Sequence, residues 1–399
     1  MTKKKKKQTP INYSKFKAEE RSKFYENIKR LCELLVGPAV YELIPDEALS
    51  EMFEERLYNY KLQPAPGVVI PPKELKNLNQ VFLKIFETAH MAAGENKIPL
   101  LLYLKEGFCL IDFIYKAKAH EFDTAAQLKI IFKPFDPYSA FYEQAYNLFT
   151  NGLLHFGILA SNFNTGVIYA EHILEPGENE QAVFNIIKIY KKDLEQSEVA
   201  INGKTRTIWK LGWGFPDGKF QHLSKKPSEI GYDNNVIDLP MDVYVQGHAL
   251  IRLEERLGIT PGIMHYLLYE AINHPKAIKH EDKILIEYLL STVKAGYLLI
   301  SINDGKIIIR TFLFLTNSGT PEGRKLEKMT GLAMADKKYL QIDQLSTLNA
   351  MNIGNDEVLK DLFTKVGCAS LLKLGNVKDF SSNPDKFIDS AIVRNYLFK

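Results

Sequence analysis

The sequence predicts an α+β fold that combines a helical N-terminal region, a middle antiparallel sheet and a strand–helix–helix–hairpin section. Apolar residues recur at helical spacing through the first 165 residues. Strand-like segments follow, and the pair Asn202-Gly203 between two of them is the strongest short signal for a β-hairpin. A second turn of this type, Asp304-Gly305, joins two apolar segments near residue 300. Helices and hairpins in separate stretches indicate the α+β class.

The length of 399 residues predicts two or three domains, and these changes of pattern divide the chain into three main sections and two tails. They are a disordered basic tail (1–12), a helix-rich domain (13–165), an antiparallel β section with loops (166–238), an α+β section (239–345) and a helical and polar C-terminal tail (346–399).

The first predicted helix covers residues 18–35, where apolar side chains recur every three or four positions and Gly37-Pro38 follows. Four more helices are predicted in this region at 46–57, 73–89, 100–117 and 138–154, with an extended connector at 64–72. The middle section contains strand-like segments at 167–174, 184–190, 198–201 and 205–211, and residues 212–238 are rich in loops.

The α+β section begins with a short strand at 241–245 and a helix at 247–257, which Gly258 ends. Thr260-Pro261 then combines an N-cap residue with proline at the first helical position, so a second helix is predicted to run to about residue 273. Further elements are predicted as strands at 295–302 and 306–315 and helices at 321–329 and 356–366.

Charge composition restricts the possible partners of the chain. Lys and Arg total 51 and Asp and Glu total 48, which leaves a net charge of +3. Without the five lysines Lys3–Lys7 the net charge is −2, so the folded part is nearly neutral. Nucleic-acid binding therefore requires a local basic patch rather than bulk charge. The tail is predicted to be a solvated, solubilising end, with a weak phosphate-attracting arm as the alternative.

Cysteine content and hydropathy predict a cytoplasmic protein without a membrane association. Three widely spaced cysteines, an odd number, are typical of a reducing compartment. The segment 144–170 lacks charged residues, but several Asn residues and a His favour a buried core segment over a membrane span.

One predicted helix, residues 247–257, carries a set of side chains suited to phosphate chemistry. At about 100° per residue, His248, Arg252 and Arg256 fall within an arc of about 80°, while the leucines fall on another face. The two arginines, four residues apart, repel each other and require an acidic neighbour. Glu255 and an external phosphate are both suitable, because the guanidinium group matches carboxylate and phosphate oxygens.

A fourth cation lies in the predicted hairpin. A two-residue turn at Asp304-Gly305 places Leu299 opposite Arg310 and Ile300 opposite Ile309, in a strand that is apolar on both faces. A buried cation without a partner is costly, so Arg310 must either pair with a carboxylate or reach an open groove.

Residues 241–316, with their His-Ala-Leu-x-Arg-Leu-x-x-Arg helix start, second helix and apolar hairpin, resemble the BrnT-like proteins of the RelE-like ribonuclease-toxin superfamily. The resemblance implies a RelE-like section at 239–345 and metal-free RNA cleavage. It assigns catalytic roles to His248, Arg252, Arg256 and Arg310, with arginines holding the scissile phosphate and a basic residue moving a proton. These toxins are small and strongly basic, whereas this chain is larger and nearly neutral.

Other patterns favour structural roles. The remaining histidines show no metal-ligand spacing, so neither a metal nor a cofactor is predicted. The segment 319–325 opens a helix and is predicted to be a plain N-cap, with anion binding as the alternative. Aromatic and basic side chains mix in one stretch, and they favour a sheet core over a platform for single-stranded bases: Trp209, Lys210, Trp213, Phe215, Lys219, Phe220, Lys225 and Lys226.

Two functional hypotheses follow. The chain either binds or cleaves RNA with a RelE-like site, or it is a non-enzymatic structural or protein-interaction protein whose toxin-like fold is degenerate. The environment of His248 distinguishes them. A groove lined by all three arginines favours RNA, and Glu254 or Glu255 closing over a packed His248 favours the alternative.

Overall fold

The computed structural model describes residues 13–56, 58–117, 122–163, 165–176, 183–233, 237–351 and 353–374. The chain divides into two compact units. Unit 1 contains the chain through Phe156, together with Ala170–Tyr190 and Pro216–Gly218; unit 2 contains Gly157–Tyr169, Lys191–Phe215 and the chain from Lys219 onward. The predicted basic tail at 1–12 and the part of the predicted C-terminal tail after residue 374 lie outside the described residues.

The helices, in chain order, are α1 (Tyr13–Leu35), α2 (Asp46–Glu55), α3 (Pro72–Thr88), α4 (Leu100–Leu102), α5 (Phe108–Lys116), α6 (Ala125–Ile131), α7 (Ala140–Ala160), α8 (Gly247–Leu257), α9 (Pro261–Asn273), α10 (Pro321–Thr330), α11 (Met334–Tyr339), α12 (Leu345–Met351), α13 (Glu357–Val366) and α14 (Ala369–Leu374). A π-helical turn, Tyr103–Gly107, connects α4 to α5.

The strands are β1 (Tyr58–Pro64), β2 (His90–Ala93), β3 (Asn96–Pro99), β4 (Val167–Pro176), β5 (Val183–Lys192), β6 (Gln196–Ile201), β7 (Lys204–Lys210), β8 (Gly212–Gly214), β9 (Phe220–His222), β10 (Ser224–Lys225), β11 (Met241–Gln246), β12 (Ala277–His280), β13 (Lys283–Leu290), β14 (Val293–Asn303) and β15 (Lys306–Phe314). Helices and mixed sheets confirm the predicted α+β class.

Unit 1 is built around an aromatic core. Phe82 on α3 packs against Phe86 with ring centroids 4.6 Å apart, and Phe86 lies 5.4 Å from Phe149 on α7. These rings bury the large apolar areas that dominate core stability. A three-stranded sheet of order β1-β5-β4 adds β1 as a parallel neighbour of β5.

The four strands of the middle section are divided between two sheets, which differs from the single sheet that we expected. The pair β4 and β5 joins β1, whereas β6 and β7 join the large sheet of unit 2. The partners come from residues 58–64 and 241–246, which are remote in sequence. Local alternation predicts a strand but does not specify a distant neighbour.

Unit 2 contains an eight-stranded sheet with seven strands in the order β12-β13-β14-β15-β11-β7-β6, while β10 pairs with β11. The β11–β15 pair is parallel and the other pairs described here are antiparallel. Strand β6 also contacts β14, although three strands separate them in the hydrogen-bonded order, so the sheet curves strongly. Helix α8 packs on β15 and α9 packs on β13.

The predicted turns and helix ends of unit 2 are confirmed. Asn202, Gly203, Asp304 and Gly305 all have positive φ angles between 51° and 72°, as a type I′ turn requires. Helices α8 and α9 have the predicted bounds, and Gly258 ends α8 with a φ of 64°. Strands β12 and β13 were not predicted.

The segment 144–170 is largely helix α7 and the start of β4, with buried residues along it, as the core interpretation predicts. Among the described residues, no helix combines the length and the apolar character needed to cross a membrane.

Candidate functional site

A basic groove of about 450 Å³ lies in unit 2, between the β6–β7 hairpin, the start of α8 and the middle of strands β14 and β15. Its walls are formed by Ile201, Asn202, Lys204, Arg206, Gln246, His248, Leu299, Arg310 and Thr311. Three of these residues are permanent cations and one is a histidine, and none of the described residues in its walls is acidic. Two of the four predicted site residues, His248 and Arg310, therefore meet in one groove.

Strand register explains why these side chains converge. Val245 on β11 pairs with Ile309 on β15, so the next residue on β15 is Arg310, at the point where β11 ends and α8 begins. On the other side of β11, Gln246 pairs with Ile208 on β7. Continuing this antiparallel register directs Arg206 toward the first turn of α8, where His248 lies.

A β-bulge places Arg310, and the predicted pairing of Leu299 with Arg310 is wrong. Ile300 pairs with Ile309 as expected, but Leu299 pairs with Thr311, which leaves Arg310 as the extra residue of β15. A bulge changes the direction of a side chain and interrupts the ladder locally, and bulges are common beside binding sites. Residues 307–309 are all isoleucine, so the sequence has no alternation in this strand that could reveal the inserted residue.

Arg310 has no carboxylate partner among the described residues. Its Nε is buried and makes no hydrogen bond. Burial lowers the pKa of the Arg310 guanidinium, and nearby Arg206 lowers it further by repulsion. Because Arg310 is half-buried and lacks a counter-charge among the described residues, this arrangement is suited to an anion that enters the groove.

Lys204 and Arg206 are members of the site that sequence reasoning missed. Both are on β7, where Lys204 pairs with Ile201 and Arg206 pairs with Val199 on β6. Paired residues share one face of a hairpin, so the two cations extend from the face that buries Val199 and Ile201. The available signal was the i, i+2 spacing of two basic residues directly after Asn202-Gly203.

His248 occupies the second position of α8, and its side chain is exposed at the groove. Partial desolvation and then the nearby Arg252 lower its pKa below the ordinary value of 6.5, and Glu255 opposes this shift. The imidazole is therefore neutral at pH 7 and is able to accept a proton. The N-cap residue Gln246 provides no side-chain hydrogen bond to the helix, so the first-turn N–H groups of α8 add a partial positive charge beside the groove.

The other two predicted site residues are neutralised by carboxylates and do not line the groove. Arg252 donates a hydrogen bond from Nη1 to Oε2 of Glu255 at 2.6 Å, at the surface of α8. Arg256 forms an ion pair with Asp343, with 3.3 Å between Nη2 and Oδ2, and both side chains are largely buried. The structure therefore divides the four residues into two in the groove and two in ion pairs.

The segment 319–325 and the aromatic and basic stretch 209–226, for which ligand binding was the alternative, make contacts that support the fold. Thr320 accepts a hydrogen bond from the N–H of Gly323 at 2.9 Å, which makes it the N-cap of α10. In the aromatic and basic stretch, Trp213 is fully buried against His265, while Lys210 pairs with Asp242 at 2.7 Å. These groups form part of the core and its edge rather than an exposed stacking platform.

Within the described ranges, no group of three or more His, Cys, Asp or Glu side chains is arranged to hold a metal ion. Comparisons with protein-family models, curated proteins and solved structures find no match to this chain. The functional argument therefore depends on the chemistry of the groove itself.

Proposed function

We propose that this chain binds RNA by holding the phosphodiester backbone in the basic groove. The observation that carries the proposal is the convergence of Arg206, Arg310 and His248, from three separate segments, around a groove without a carboxylate wall. The large sheet of unit 2 holds two of these segments, β7 and β15, and the third is the first turn of α8.

Phosphate is the anion that fits this groove best. The guanidinium group offers a fork of N–H donors that matches two phosphate oxygens, and the groove contains two such forks and one ammonium group. The Arg310 guanidinium has no carboxylate partner among the described residues, so a phosphate at its exposed end would supply the missing counter-charge. The first turn of α8 adds N–H donors of the type that bind phosphate at helix starts.

RNA is favoured among phosphate polymers by the RelE-like resemblance of residues 241–316. The chain order within this range is β11, α8, α9 and then the antiparallel strands β12–β15, which is the order that the resemblance implies. The low net charge of the folded part limits the interaction to this local patch, so we expect moderate affinity that depends on salt.

Fluorescence anisotropy with a short single-stranded RNA tests the binding proposal. The double variant Arg206→Ala/Arg310→Ala is expected to bind at least about tenfold more weakly, because two charge-assisted hydrogen bonds to phosphate are lost. Arg30→Ala, on the exposed surface of α1, removes a similar charge away from the groove and is expected to bind like the wild-type protein. Equal RNA affinity of the double variant and the Arg30 variant would contradict the proposal.

RNA cleavage is the second candidate function, and the neutral imidazole of His248 favours it. In this reaction the Nε2 or Nδ1 of His248 takes the proton from a ribose 2′-OH, and the 2′-oxygen forms a bond to phosphorus. The bond from phosphorus to the 5′-oxygen breaks, and that oxygen takes a proton from solvent. Arg206 and Arg310 would stabilise the negative charge that collects on the phosphorane oxygens.

The cleavage candidate is tested by incubating the purified protein with RNA and with DNA of matching sequence. We expect products ending in a 2′,3′-cyclic phosphate from RNA alone, and a rate about 100-fold to 10,000-fold lower for His248→Gln. Because the pKa of His248 is lowered, the rate should already be at its plateau at pH 7 and fall below it as pH decreases. Background rates for both proteins would exclude cleavage and leave binding.

If the double variant and the wild-type protein both fail to bind RNA, the chain is best described by the other hypothesis, a non-enzymatic structural or protein-interaction protein with a degenerate toxin-like fold.

A further inference from the structure

Unit 1 contains a second cavity that the RNA proposal does not use. It has a volume of about 800 Å³, within the range of small-molecule sites, and lies between α2, α5, α7 and the sheet strands β1, β4 and β5. We call it the aromatic cavity. Its walls include Met52, Tyr60, Phe108, Cys109, Phe113, Tyr142, Phe149, His172, Leu174 and Asn185.

Packed aromatic rings form the walls. Phe149 is buried and lies edge-on to the His172 ring, with 5.1 Å between the centroids, and Tyr60 lies 5.8 Å from the same imidazole. On another wall, Phe108 and Tyr142 are 4.8 Å apart. The wall residue Leu174 exposes 54% of its surface, so apolar surface is accessible to a ligand at the cavity. A flat, largely apolar ligand body would match these walls.

His172 provides one fixed polar group within the apolar walls. Its Nε2 lies 2.9 Å from Oδ1 of the buried Asn185. An amide oxygen only accepts hydrogen bonds, so Nε2 carries the proton. Burial lowers the pKa of His172, which keeps the ring neutral at pH 7 and makes Nδ1 an acceptor. A ligand with an N–H donor would match this acceptor.

The charges around the cavity are predominantly negative. Three carboxylates, Glu51, Glu55 and Asp112, lie at the cavity, and Lys116 is the single cation among its described residues. Lys116 is already paired with Asp112, with 2.5 Å between Nζ and Oδ2. The negative field extends to Cys109, whose pKa is raised to about 12 by burial and then by Asp112, Glu106 and Glu55. Anionic ligands are therefore disfavoured and cationic ones favoured.

We propose that the aromatic cavity binds a small aromatic amine, with its rings between the aromatic side chains and its protonated nitrogen facing Glu51, Glu55 and Asp112. This inference is independent of RNA binding, since it concerns different residues in a different unit of the chain. The aromatic walls provide the apolar contact, His172 accepts a hydrogen bond, and the carboxylates select the charge.

Three probes with the same indole ring test the charge selection on the full chain by isothermal titration calorimetry. Tryptamine is cationic, tryptophol is neutral and indole-3-propionate is anionic. We expect tryptamine to bind more tightly than tryptophol and at least about tenfold more tightly than indole-3-propionate, which corresponds to about 1.4 kcal/mol. Equal or tighter binding of the anionic probe, or the absence of binding by all three, would overturn the proposal.

A charge-neutralising variant shows where the amine binds. Glu55→Gln/Asp112→Asn changes exposed side chains, so it should remain folded, and it is expected to reduce the preference for tryptamine over tryptophol to less than about twofold. The matched variant Glu47→Gln/Glu143→Gln removes two exposed carboxylates of unit 1 that do not line the cavity and should keep the preference. The same loss in both variants would show that bulk charge, and not the cavity, selects the amine.

Discussion

Two groups of charged side chains in unit 2 have opposite arrangements. Near the start of α10, Lys294 lies 2.9 Å from Glu322 and the hydroxyl of Tyr297 donates to the same carboxylate oxygen at 3.0 Å. In the basic groove, Arg206 and Arg310 have no carboxylate partner among the described residues. Buried charges that support the fold are paired, whereas the groove keeps its cations available. Our proposal that the groove cations bind an anion depends on this contrast with the paired charges.

The largest effect is expected from breaking the paired group. Glu322→Ala should lower the free energy of unfolding by about 3–5 kcal/mol, because it leaves Lys294 partly buried without its closest partner. Urea denaturation followed by circular dichroism measures this change. A loss below about 1 kcal/mol would mean that water or Glu287, 3.4 Å from Lys294, replaces the pair.

Acid should lower the free energy of unfolding through the buried His265. Its ring is fully buried, stacks on Phe163 at 4.3 Å and has a pKa lowered to about 3 by burial. In the unfolded chain His265 binds a proton near pH 6.5, so its contribution to the free energy of unfolding is complete above pH 6.5. This contribution is expected to fall by about 1.4 kcal/mol per pH unit between pH 6.5 and pH 3.

Urea midpoints of the wild-type protein and His265→Phe across this pH range measure the contribution of His265. The variant should lose less stability in acid than the wild-type protein. Parallel decreases for the two proteins would show that other groups cause the acid sensitivity.

The two arginines of α8 that are outside the groove provide a comparison within one helix. Arg256→Ala leaves Asp343 largely buried and unpaired and should cost about 2–4 kcal/mol of stability. Arg252→Ala removes a surface pair with Glu255 and should cost less than about 0.5 kcal/mol. Thermal melting measures both variants, and equal losses would contradict the assignment of Arg256 to a structural role.

A small effect with the opposite sign is expected at Arg310. Arg310→Met keeps the length of the side chain and removes a guanidinium group whose Nε is buried without a partner. We expect stability to be unchanged or to rise by about 0.5–1 kcal/mol, while RNA affinity falls. A clear loss of stability would indicate that the folded chain satisfies Arg310 after all.

Local rules predicted much of the fold. The Asn-Gly and Asp-Gly turns, Gly258 at the end of α8 and Pro261 at the start of α9 depend on backbone preferences that each residue carries with it. The parallel pairing of β1 with β5 depends on a distant partner, which no local pattern specifies. The structure divides the chain into two compact units, and the division into five sections stays a prediction.

The candidate site was predicted only in part, for a similar reason. His248 and Arg310 stand out as charged residues among apolar neighbours, so the sequence identified both. The bulge at Arg310, the approach of Lys204 and Arg206 and the pairing of Arg256 with Asp343 all depend on how separate segments pack. Helical angles alone therefore grouped Arg252 and Arg256 with His248. In the structure, Arg252 pairs with Glu255 and Arg256 pairs with Asp343.

The salt dependence of RNA binding is the most direct test of the central claim, that the unpaired cations of the basic groove bind phosphates. Three cations that each neutralise one phosphate of a single strand give a slope of log K against log salt of about −2. In Arg206→Ala/Arg310→Ala one cation remains, and the slope should change to about −0.7. Identical slopes and affinities for the two proteins would contradict the account.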